Sequence, residues 1–325
     1  MTNLKNVRVL VTGGSGFIGL HLVERLIKED ADIYVIKRPN SILTPWTKNI
    51  LKKVKVYNVD ISDFEKLKHI MKKIEPKKIF HLAAFTNVNR SFTVTNEAIK
   101  NNVQGTLNLL HSLENVDFDC FINTSTCEVY GNNPVPFTEN QLPNPVSPYG
   151  ASKYSAEVFC QFFYNTYNFP ITILRPFTSY GEYQLCKMFI PQIIVSCLLK
   201  EDLKLTEGTQ TREFNYVEDI VDGYIKTSIT KRAIGEIINI GCGEEHSIKE
   251  TVFKIIKLVG NDTKPLFGSI DYRENEIWRL FCDNTKAKKI LKWEPKYSIE
   301  RGLEKTIKWY SRQIKKDKNV VKFLR

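Results

Sequence analysis

The chain comprises 325 residues, of which 42% are hydrophobic and 26% are charged, an ordinary composition for a globular protein of one or two domains. It contains no run of about eighteen consecutive apolar residues, so we expect no membrane-spanning helix. The first residues lead directly into a predicted strand and leave no room for a signal peptide. We therefore expect a cytoplasmic protein.

The formal net charge is +11, but the basic residues are scattered along the chain. Neither a helix-turn-helix pattern nor an aromatic RNA-binding run accompanies them, so we expect no nucleic-acid partner. A lysine-rich surface is the simpler interpretation. Its field would favour anionic small molecules such as phosphorylated cofactors and sugar nucleotides.

The seven cysteines show neither a C-x-x-C pair nor zinc-finger spacing, and most lie in apolar segments. This pattern predicts free buried thiols in a reducing compartment, and no metal site. The cysteines are Cys120, Cys127, Cys160, Cys186, Cys197, Cys242 and Cys282.

The first half of the chain alternates predicted strands with predicted helices. Apolar runs predict strands at 7–12, 33–37, 53–60, 78–84, 118–126 and 171–176. Helical periodicity and helix-start residues predict helices at about 16–29, 63–74, 95–113 and 148–167. This alternation predicts an α/β fold with a parallel, doubly wound sheet and right-handed crossovers.

After Phe177 the alternation breaks. Residues 178–214 and 246–325 predict shorter helices, brief strands and more turns, whereas 235–241 predicts one more strand that returns to the sheet. The second region is therefore expected to be an interleaved cap rather than a separate unit joined by a linker.

A glycine-rich turn, TGGSGFIG at 12–19, lies between the first predicted strand and helix, the context that a dinucleotide-binding motif requires. Gly13 permits a tight turn, Gly16 lets main-chain amides approach a pyrophosphate, and Gly19 lets the helix pack against the strand. The alternative is a purely structural strand–helix turn.

The end of the second predicted strand carries Lys37 and Arg38, where NAD sites commonly place a carboxylate for the adenosine ribose. Two cations suit a 2′-phosphate, so we predict that NADP(H) is preferred over NAD(H). In a lysine-rich chain the pair could also be ordinary surface charge. Asp60 and Ile61, after the third strand, are candidates to bracket the adenine, although Asp60 could equally be a helix-start acid.

Tyr149 and Lys153 lie one helical turn apart in the segment SPYGASK. A tyrosine with its ordinary pKa near 10 is a poor base at neutral pH, and a neighbouring ammonium together with a positive nicotinamide ring would favour the phenolate. The pair therefore indicates proton transfer at a carbinol carbon beside a bound dinucleotide. On its own it could be a solvated helix pair.

These motifs, taken in order, resemble the extended short-chain dehydrogenase/reductase family, in particular its nucleotide-sugar branch. The resemblance covers essentially the whole chain. It rests on TGGSGFIG (12–19), DI (60–61), HLAA (81–84), NNVQGT (101–106), STCEVYG (125–131), YGASK (149–153), RPFTSYG (175–181), REFNYVED (212–219), INIG (238–241) and YRENEI (272–277).

The resemblance implies a Rossmann-type dinucleotide-binding domain formed by 1–177 and about 215–245. It also implies a smaller, interleaved C-terminal α/β domain that binds the nucleotide sugar, formed by about 178–214 and 246–325. A homodimer through the helices near 95–113 and 149–167 is expected as well.

The resemblance also assigns roles to individual residues. Thr126 matches the hydroxyl partner, Tyr149 the acid/base and Lys153 the group that lowers the tyrosine pKa. Further cofactor contacts implied by the matching motifs are Phe17, Ile18, Leu82, Ala83, Ala84, Asn102 and Pro176.

Glu128 matches the carboxylate that removes the C5 proton in nucleotide-sugar 4,6-dehydratases. Some of those enzymes carry an aspartic acid just before it, which protonates the leaving C6 hydroxyl. This chain has Cys127 there, and a thiol is a weak general acid. The alternative for Glu128 is a carboxylate that faces solvent or caps a neighbour.

Candidate substrate contacts also follow from the resemblance. Arg212 and Arg273 match residues that grip the diphosphate or ribose, with ion pairs to acids such as Asp219 or Glu276 as the alternative. Asn87 and Arg90 match hexose contacts. The chain departs from the family pattern in carrying Thr178 where relatives often have asparagine, and Glu182 where they often have proline.

The sequence thus predicts an NADP(H)-dependent oxidoreductase that acts at C4 of a nucleotide-diphosphate sugar, first as a 4-keto-(6-deoxy)hexose reductase. A 4,6-dehydratase with Glu128 as base is the alternative, followed by a C4-epimerase. A non-catalytic dinucleotide-binding sensor is the remaining alternative from a different class.

Overall fold

The core of the protein is a parallel seven-stranded sheet, seen in a computed structural model that describes residues 4–87, 89, 91–273 and 276–324. Its strands are β1 (Arg8–Thr12), β2 (Asp32–Lys37), β3 (Lys55–Asn58), β4 (Lys78–His81), β5 (Cys120–Thr124), β6 (Ile171–Pro176) and β11 (Ile237–Ile240). Their spatial order is β11-β6-β5-β4-β1-β2-β3. The predicted doubly wound parallel sheet is confirmed, and so is the return of a strand from 235–241 to it.

Helices cover both faces of this sheet. In the first half they are α1 (Phe17–Lys28), α2 (Pro45–Leu51), α3 (Phe64–Ile74), α4 (Phe92–Ala98), a π-helix (Ile99–Gln104), α5 (Gly105–His111) and α6 (Pro148–Tyr167). In the second half they are α7 (Phe189–Leu199), α8 (Val217–Ile229), α9 (Ile248–Val259), α10 (Thr285–Leu291), α11 (Ile299–Lys316) and α12 (Val321–Leu324). Within the described ranges, none of them is both long and apolar enough to cross a lipid bilayer.

Short two-stranded sheets complete the second half. They are formed by β7 (Ser179–Tyr180) with β10 (Asn215–Tyr216), β8 (Leu203–Lys204) with β13 (Pro265–Leu266), and β9 (Thr211–Glu213) with β12 (Glu245–Ser247). The prediction of only shorter helices there was wrong for α11, which has 18 residues. Its buried Leu303, Ile307 and Tyr310 form an apolar stripe that packs into the core.

Two hydrophobic clusters hold the layers together because successive side chains of a strand point to opposite faces. Val9 and Val11 of β1 pack on the side of α1 and α8, whereas Leu10 packs on the side of α3 and α5. The strand order reverses between β1 and β4, which both neighbour the chain's first glycine turn. In doubly wound sheets the ligand crevice lies at such a switch point, beyond the carboxyl ends of the strands.

Two local features differ from the prediction for the first half. Helix α2 was not predicted, although Thr44 caps it by accepting a hydrogen bond from the Thr47 amide and Pro45 occupies its first turn. The single helix predicted at 95–113 is divided into α4, the π-helix and α5. The π-helix falls at NNVQ, where the resemblance placed a cofactor contact.

Candidate active site

The glycine turn after β1 brings main chains closer than side chains would allow. Gly13 has a positive φ of 72°, and a Cβ built on it would lie 2.7 Å from the amide nitrogen of Ala83. A Cβ on Gly19 would collide with the carbonyl oxygen of Gly13. Glycine is therefore required at both positions, and helix α1 starts directly against the end of β1.

The first turn of α1 is arranged to receive an anion. Gly16 precedes the helix in an extended conformation, and no side chain among the described residues caps the helix start. Phe17 and Ile18 are partly buried and pack against the core. The first main-chain N–H groups of the helix therefore suit a phosphate, and the residues present fit a dinucleotide.

At the end of β2, the two predicted cations lie in different environments. The Lys37 ammonium donates to the carbonyl oxygens of Arg38 (3.2 Å) and Pro39 (3.5 Å). The Arg38 guanidinium donates to Asn101 Oδ1 (3.1 Å) and forms an ion pair with Asp60 (3.8 Å). Burial tends to raise the pKa of Asp60, but hydrogen bonds from Ser62 and the nearby cations outweigh it and lower that pKa. Asp63, rather than Asp60, caps helix α3, and the Asp60 carboxylate accepts from the Ser62 amide beside Arg38.

Ile61 is buried, and its side chain packs directly over Gly105. A Cβ built on Gly105 would lie only 2.5 Å from Ile61 Cδ1. The main-chain oxygen of Ile61 accepts a hydrogen bond from Asn108 (3.1 Å). These contacts fix the loop after β3 against helix α5.

A buried hydrogen-bonded row crosses the switch point from β1 to the π-helix. The Thr106 hydroxyl donates its single hydrogen to Asn102 O (2.6 Å). It must therefore accept in its hydrogen bond with His81 Nε2 (2.9 Å). His81 Nδ1 therefore accepts from the Thr12 hydroxyl (2.7 Å), which in turn accepts from the Ala83 amide (3.2 Å). Burial, followed by the charge of Lys153, lowers the pKa of His81 to about 3, so the ring is neutral.

Asn102 connects the loop after β4 to helix α6. Its Oδ1 accepts from the Phe85 amide (2.7 Å), and its Nδ2 donates to Phe85 O (3.0 Å) and Ser152 Oγ (2.9 Å). Ser152 donates to Tyr149 O (2.8 Å). The predicted cofactor residues Leu82 and Ala84 are half-buried in this loop, and the Leu82 amide donates to Thr12 O (3.1 Å).

The predicted catalytic residues meet at the carboxyl end of β5. Helix α6 begins at Pro148, with Ser147 accepting from the Gly150 amide, which places Tyr149 and Lys153 one turn apart. The Thr126 hydroxyl is close enough to Tyr149 to favour its phenolate and lower its pKa. The Thr126 side chain itself accepts a hydrogen bond from the Glu128 amide (3.2 Å).

Burial governs the electrostatics of this group. It raises the pKa of Tyr149 despite the opposing effect of the Thr126 hydroxyl, and the neighbouring Cys127 and Glu128 add to the rise. Burial also lowers the pKa of Lys153 to about 8, against the opposing effects of Cys160 and Glu157. We predicted that Lys153 and a positive nicotinamide ring together lower the pKa of Tyr149; among the protein's own groups, burial is the larger effect and raises that pKa.

The sequence did not predict a buried ion pair that supports α6. Arg175 of β6 binds Glu157 through two hydrogen bonds (2.9 and 2.6 Å), and both side chains are at most 2% exposed. Arg175 also donates to Tyr130 (2.8 Å), and Ser125 donates to Glu157. A charged residue inside an apolar strand opposite an acid inside a helix was the available signal.

Cys127 and Glu128 follow Thr126 in a short 3₁₀ turn (Cys127–Val129). The Cys127 thiol is buried, and burial, with Glu128 and Glu213 nearby, raises its pKa far above the ordinary value. Glu128 is half-buried beside Tyr149 and is close enough to influence its pKa.

The predicted substrate residues are less closely grouped. Arg212 forms an ion pair with Glu276, which is one of the pairs considered as its alternative role. Its guanidinium also donates to Thr211 O (2.7 Å). Arg273 is exposed, and so is Asn87, whose Oδ1 accepts from the Asn89 amide. Arg90 lies outside the described residues.

The segment RPFTSYG follows β6 toward the second half of the protein. Pro176 is its strand's last residue and pairs in register with Ile240. The main-chain oxygen of Thr178 accepts from the Asn215 amide (2.8 Å). Glu182 accepts from the Tyr216 hydroxyl (2.9 and 2.8 Å), and its carbonyl oxygen is hydrogen-bonded to His21 of α1 (2.9 Å).

Comparison with known proteins decides the family. Residues 10–306 match the family model described as GDP-mannose 4,6 dehydratase. The chain belongs to the extended short-chain dehydrogenase/reductase family that acts on nucleotide sugars. It is therefore an enzyme of that family, and the predicted resemblance is confirmed.

Relatives in this family align with the whole chain. A UDP-glucuronate 4-epimerase of Thermodesulfobacterium geofontis is 33% identical over 96% of this chain and 98% of the relative. A dTDP-D-glucose 4,6-dehydratase of Mus musculus is 33% identical over 98% and 92%. The solved UDP-glucuronic acid 4-epimerase of Bacillus cereus, in complex with UDP-glucuronic acid and NAD, superposes with a TM-score of 0.87 at 30% identity over 94% and 99%.

Proposed function

We propose that this family member is an NADP(H)-dependent oxidoreductase that acts at C4 of a nucleotide-diphosphate hexose, as a 4-keto-(6-deoxy)hexose reductase. The observation that carries the proposal is the grouping of Tyr149, Thr126 and Lys153 at the carboxyl end of the sheet, with Lys153 one helical turn from Tyr149. This group lies at the same edge as the glycine turn, where the dinucleotide fits.

When bound, the reduced nicotinamide supplies the hydride that C4 receives. Tyr149 gives its proton to the oxygen formed at C4, and Thr126 orients that oxygen by a hydrogen bond. The raised pKa of Tyr149 keeps the phenol protonated at neutral pH, which suits the acid that a reduction requires. Lys153, with a pKa of about 8, is mostly charged at pH 7 and stabilises the phenolate that remains.

The state of Cys127 argues against elimination of the C6 hydroxyl. A dehydratase needs an acid at C6 in addition to a base at C5. Cys127 stands where some dehydratases carry an aspartic acid, and a thiol is an unusual general acid for a leaving hydroxyl. Glu128 alone could act as the base of the alternative 4,6-dehydratase.

Lys37 and Arg38 support NADP(H) as the cofactor. Both cations lie at the end of β2, whose last residues contact the glycine turn through the Gly13 amide and Ile36 O (3.0 Å). Replacing them together (Lys37→Glu with Arg38→Ala) should shift the preference toward NAD(H) in equilibrium binding. An unchanged ratio of the two affinities would show that the pair is only surface charge.

For the substrate, we propose that Arg212 and Arg273 bind the diphosphate and that Asn87, Arg90 and Thr178 lie along the sugar. Arg212 would then exchange the Glu276 carboxylate for phosphate oxygens, which bind a guanidinium fork in the same planar way. We propose residues 1–177 and about 215–245 as the dinucleotide-binding domain and the remainder as the sugar-nucleotide domain, because all seven sheet strands fall in the first set.

A homodimer and a cytoplasmic location complete the proposal. Helix α6 carries an apolar outer face with exposed Val158, Phe159, Phe162 and Tyr167, which a second copy would cover. All seven cysteines, which lie within the described residues, are outside any disulfide, and this suits a reducing compartment. Size-exclusion chromatography with light scattering should give the mass of two chains, and a monomer would contradict the dimer.

A C4-epimerase is the third candidate after the dehydratase, and the chain's 33% identity to the UDP-glucuronate 4-epimerase equals its identity to the dTDP-D-glucose 4,6-dehydratase. Such an enzyme would oxidise and then reduce C4, so that Tyr149 would act first as a base. That role requires the phenolate, which burial opposes and which Lys153 and an oxidised nicotinamide ring would favour.

Purified protein with a 4-keto-6-deoxy sugar nucleotide and NADPH separates these functions. Steady NADPH consumption with formation of a 4-hydroxy product supports the reductase. Activity on a hexose nucleotide without net cofactor use would contradict the reductase. In that case a product inverted at C4 would favour the epimerase, and a 4-keto-6-deoxy product would favour the dehydratase. Tight NADPH binding without any turnover would favour the sensor. Tyr154→Phe on the same helix is the matched control for Tyr149→Phe.

A further inference from the structure

Asn101 lies beside Asn102 in the π-helix, but its side chain contacts the end of β2 rather than the catalytic helix. It is 6% exposed, and its Oδ1 accepts from Arg38 Nη2 (3.1 Å). Its Nδ2 donates to the Glu97 main-chain oxygen (2.8 Å) and carboxylate (3.2 Å). Because both Glu97 groups are acceptors, the orientation of the amide is determined and its oxygen is the atom that faces Arg38.

Hydrogen bonds hold Arg38 both at its main chain and at its guanidinium group. Its carbonyl oxygen accepts from Lys37 Nζ (3.2 Å) and from the amide (3.2 Å) and hydroxyl (2.9 Å) of Ser41, which fixes the main chain. Its guanidinium is anchored by Asn101 although the side chain is 53% exposed. An exposed arginine without such an anchor would sample many rotamers.

The anchored guanidinium retains capacity for a second anion. One N–H is directed to Asn101, and Nε faces Asp60 at 3.8 Å, which is an ion pair beyond hydrogen-bond distance. An arginine has five N–H bonds, so three are not used by these two neighbours. A half-exposed ion pair of this kind is weak, and a doubly charged phosphate can displace it.

We infer that Asn101 determines cofactor specificity by positioning Arg38 for the 2′-phosphate of NADP(H), and that Asp60 opposes that phosphate. This inference rests on the cofactor preference proposed above. Asn101 acts through Arg38, so it is a positioning residue and does not take part in the reaction. The juxtaposition of a buried amide in the π-helix, a guanidinium after β2 and a carboxylate after β3 carries the inference.

Equilibrium binding of NADPH and NADH, measured by protein fluorescence without any sugar nucleotide, tests it. Asn101→Leu should weaken NADPH binding by about 5- to 10-fold, because Arg38 must then be ordered on binding, and change NADH binding by no more than about twofold. Asp60→Asn keeps the acceptor for the Ser62 amide and should change the preference in the opposite direction, toward NADPH.

A double-mutant cycle separates positioning from a structural role. In an Arg38→Ala background, Asn101→Leu should leave the NADPH/NADH ratio unchanged. Asn101→Asp preserves the shape of the side chain and should also weaken NADPH binding, because its carboxylate competes with the phosphate for Arg38. It serves as the second variant if Asn101→Leu lowers the thermal stability of the protein.

Equal weakening of both dinucleotides in every Asn101 variant, or a wild-type preference for NADH, would overturn the inference. Because no sugar nucleotide is present, these results are independent of whether the reaction at C4 is the one proposed.

Discussion

Replacing Lys153 by methionine should stabilise the protein at neutral pH while abolishing turnover. Lys153 is 1% exposed, and burial lowers its pKa from 10.5 to about 8. Keeping the ammonium charged inside the folded protein below pH 8 therefore costs about 3 kcal/mol. Methionine fills a similar volume without a charge, so part of this energy should be recovered.

We expect the free energy of unfolding at pH 7 to rise by about 1–3 kcal/mol, the lower end allowing for lost attraction to Glu157. For a chain of this length, that corresponds to a rise in Tm of roughly 2–5 °C. The gain has a defined pH dependence. The pKa is lower in the folded than in the unfolded state, so the wild-type protein recovers stability as the pH rises from 8 toward 10.5. The advantage of the variant should shrink over that range.

Urea unfolding at pH 7 and pH 10, on protein freed of dinucleotide, measures both effects. Lys257→Met is the matched control, because Lys257 is exposed on α9 and should change stability little at either pH. A Lys153→Met variant that is less stable than wild type at pH 7, or whose gain persists at pH 10, would refute the reasoning.

Three further substitutions test other parts of the account. Tyr149→Phe should lower turnover by at least about 100-fold while leaving dinucleotide affinity nearly unchanged; steady-state kinetics retaining a large share of the wild-type rate would exclude its role. Gly19→Ala places a methyl group against Gly13 O, so titration calorimetry should show dinucleotide binding weakened by at least about tenfold, and normal binding would contradict the close-approach argument. Glu157→Gln leaves Arg175 buried without a counter-charge and should cost about 3–5 kcal/mol in urea unfolding, with a loss below 1 kcal/mol as the contrary result.

Much of the fold could be predicted because its elements have strong local signals. The buried strands are continuous apolar runs, and the glycine turn needs its backbone geometry at Gly13 and Gly19 regardless of the rest of the fold. The break in the helix predicted at 95–113 could not be predicted, since a π-helix depends on tertiary contacts of Asn101 and Asn102 rather than on periodicity.

The candidate site was predictable where one motif supplies neighbouring groups, as with Tyr149 and Lys153 on α6. It was not predictable where partners are distant in the chain. The pairing of Arg212 with Glu276 and that of Arg38 with Asn101 each join segments at least sixty residues apart. The direction of the Tyr149 pKa depended on burial, which the spacing of two residues on a helix does not reveal.

Isotope transfer tests the central claim most directly. NADPH carrying deuterium at the transferable position of the nicotinamide is supplied with a 4-keto-6-deoxy sugar nucleotide, and the product is examined by mass spectrometry and NMR. We expect deuterium at C4 with wild-type protein and with Tyr154→Phe, and labelling at least about 100-fold slower with Tyr149→Phe. Absence of label at C4 with wild-type protein, despite saturating NADPH, would contradict the proposed hydride transfer.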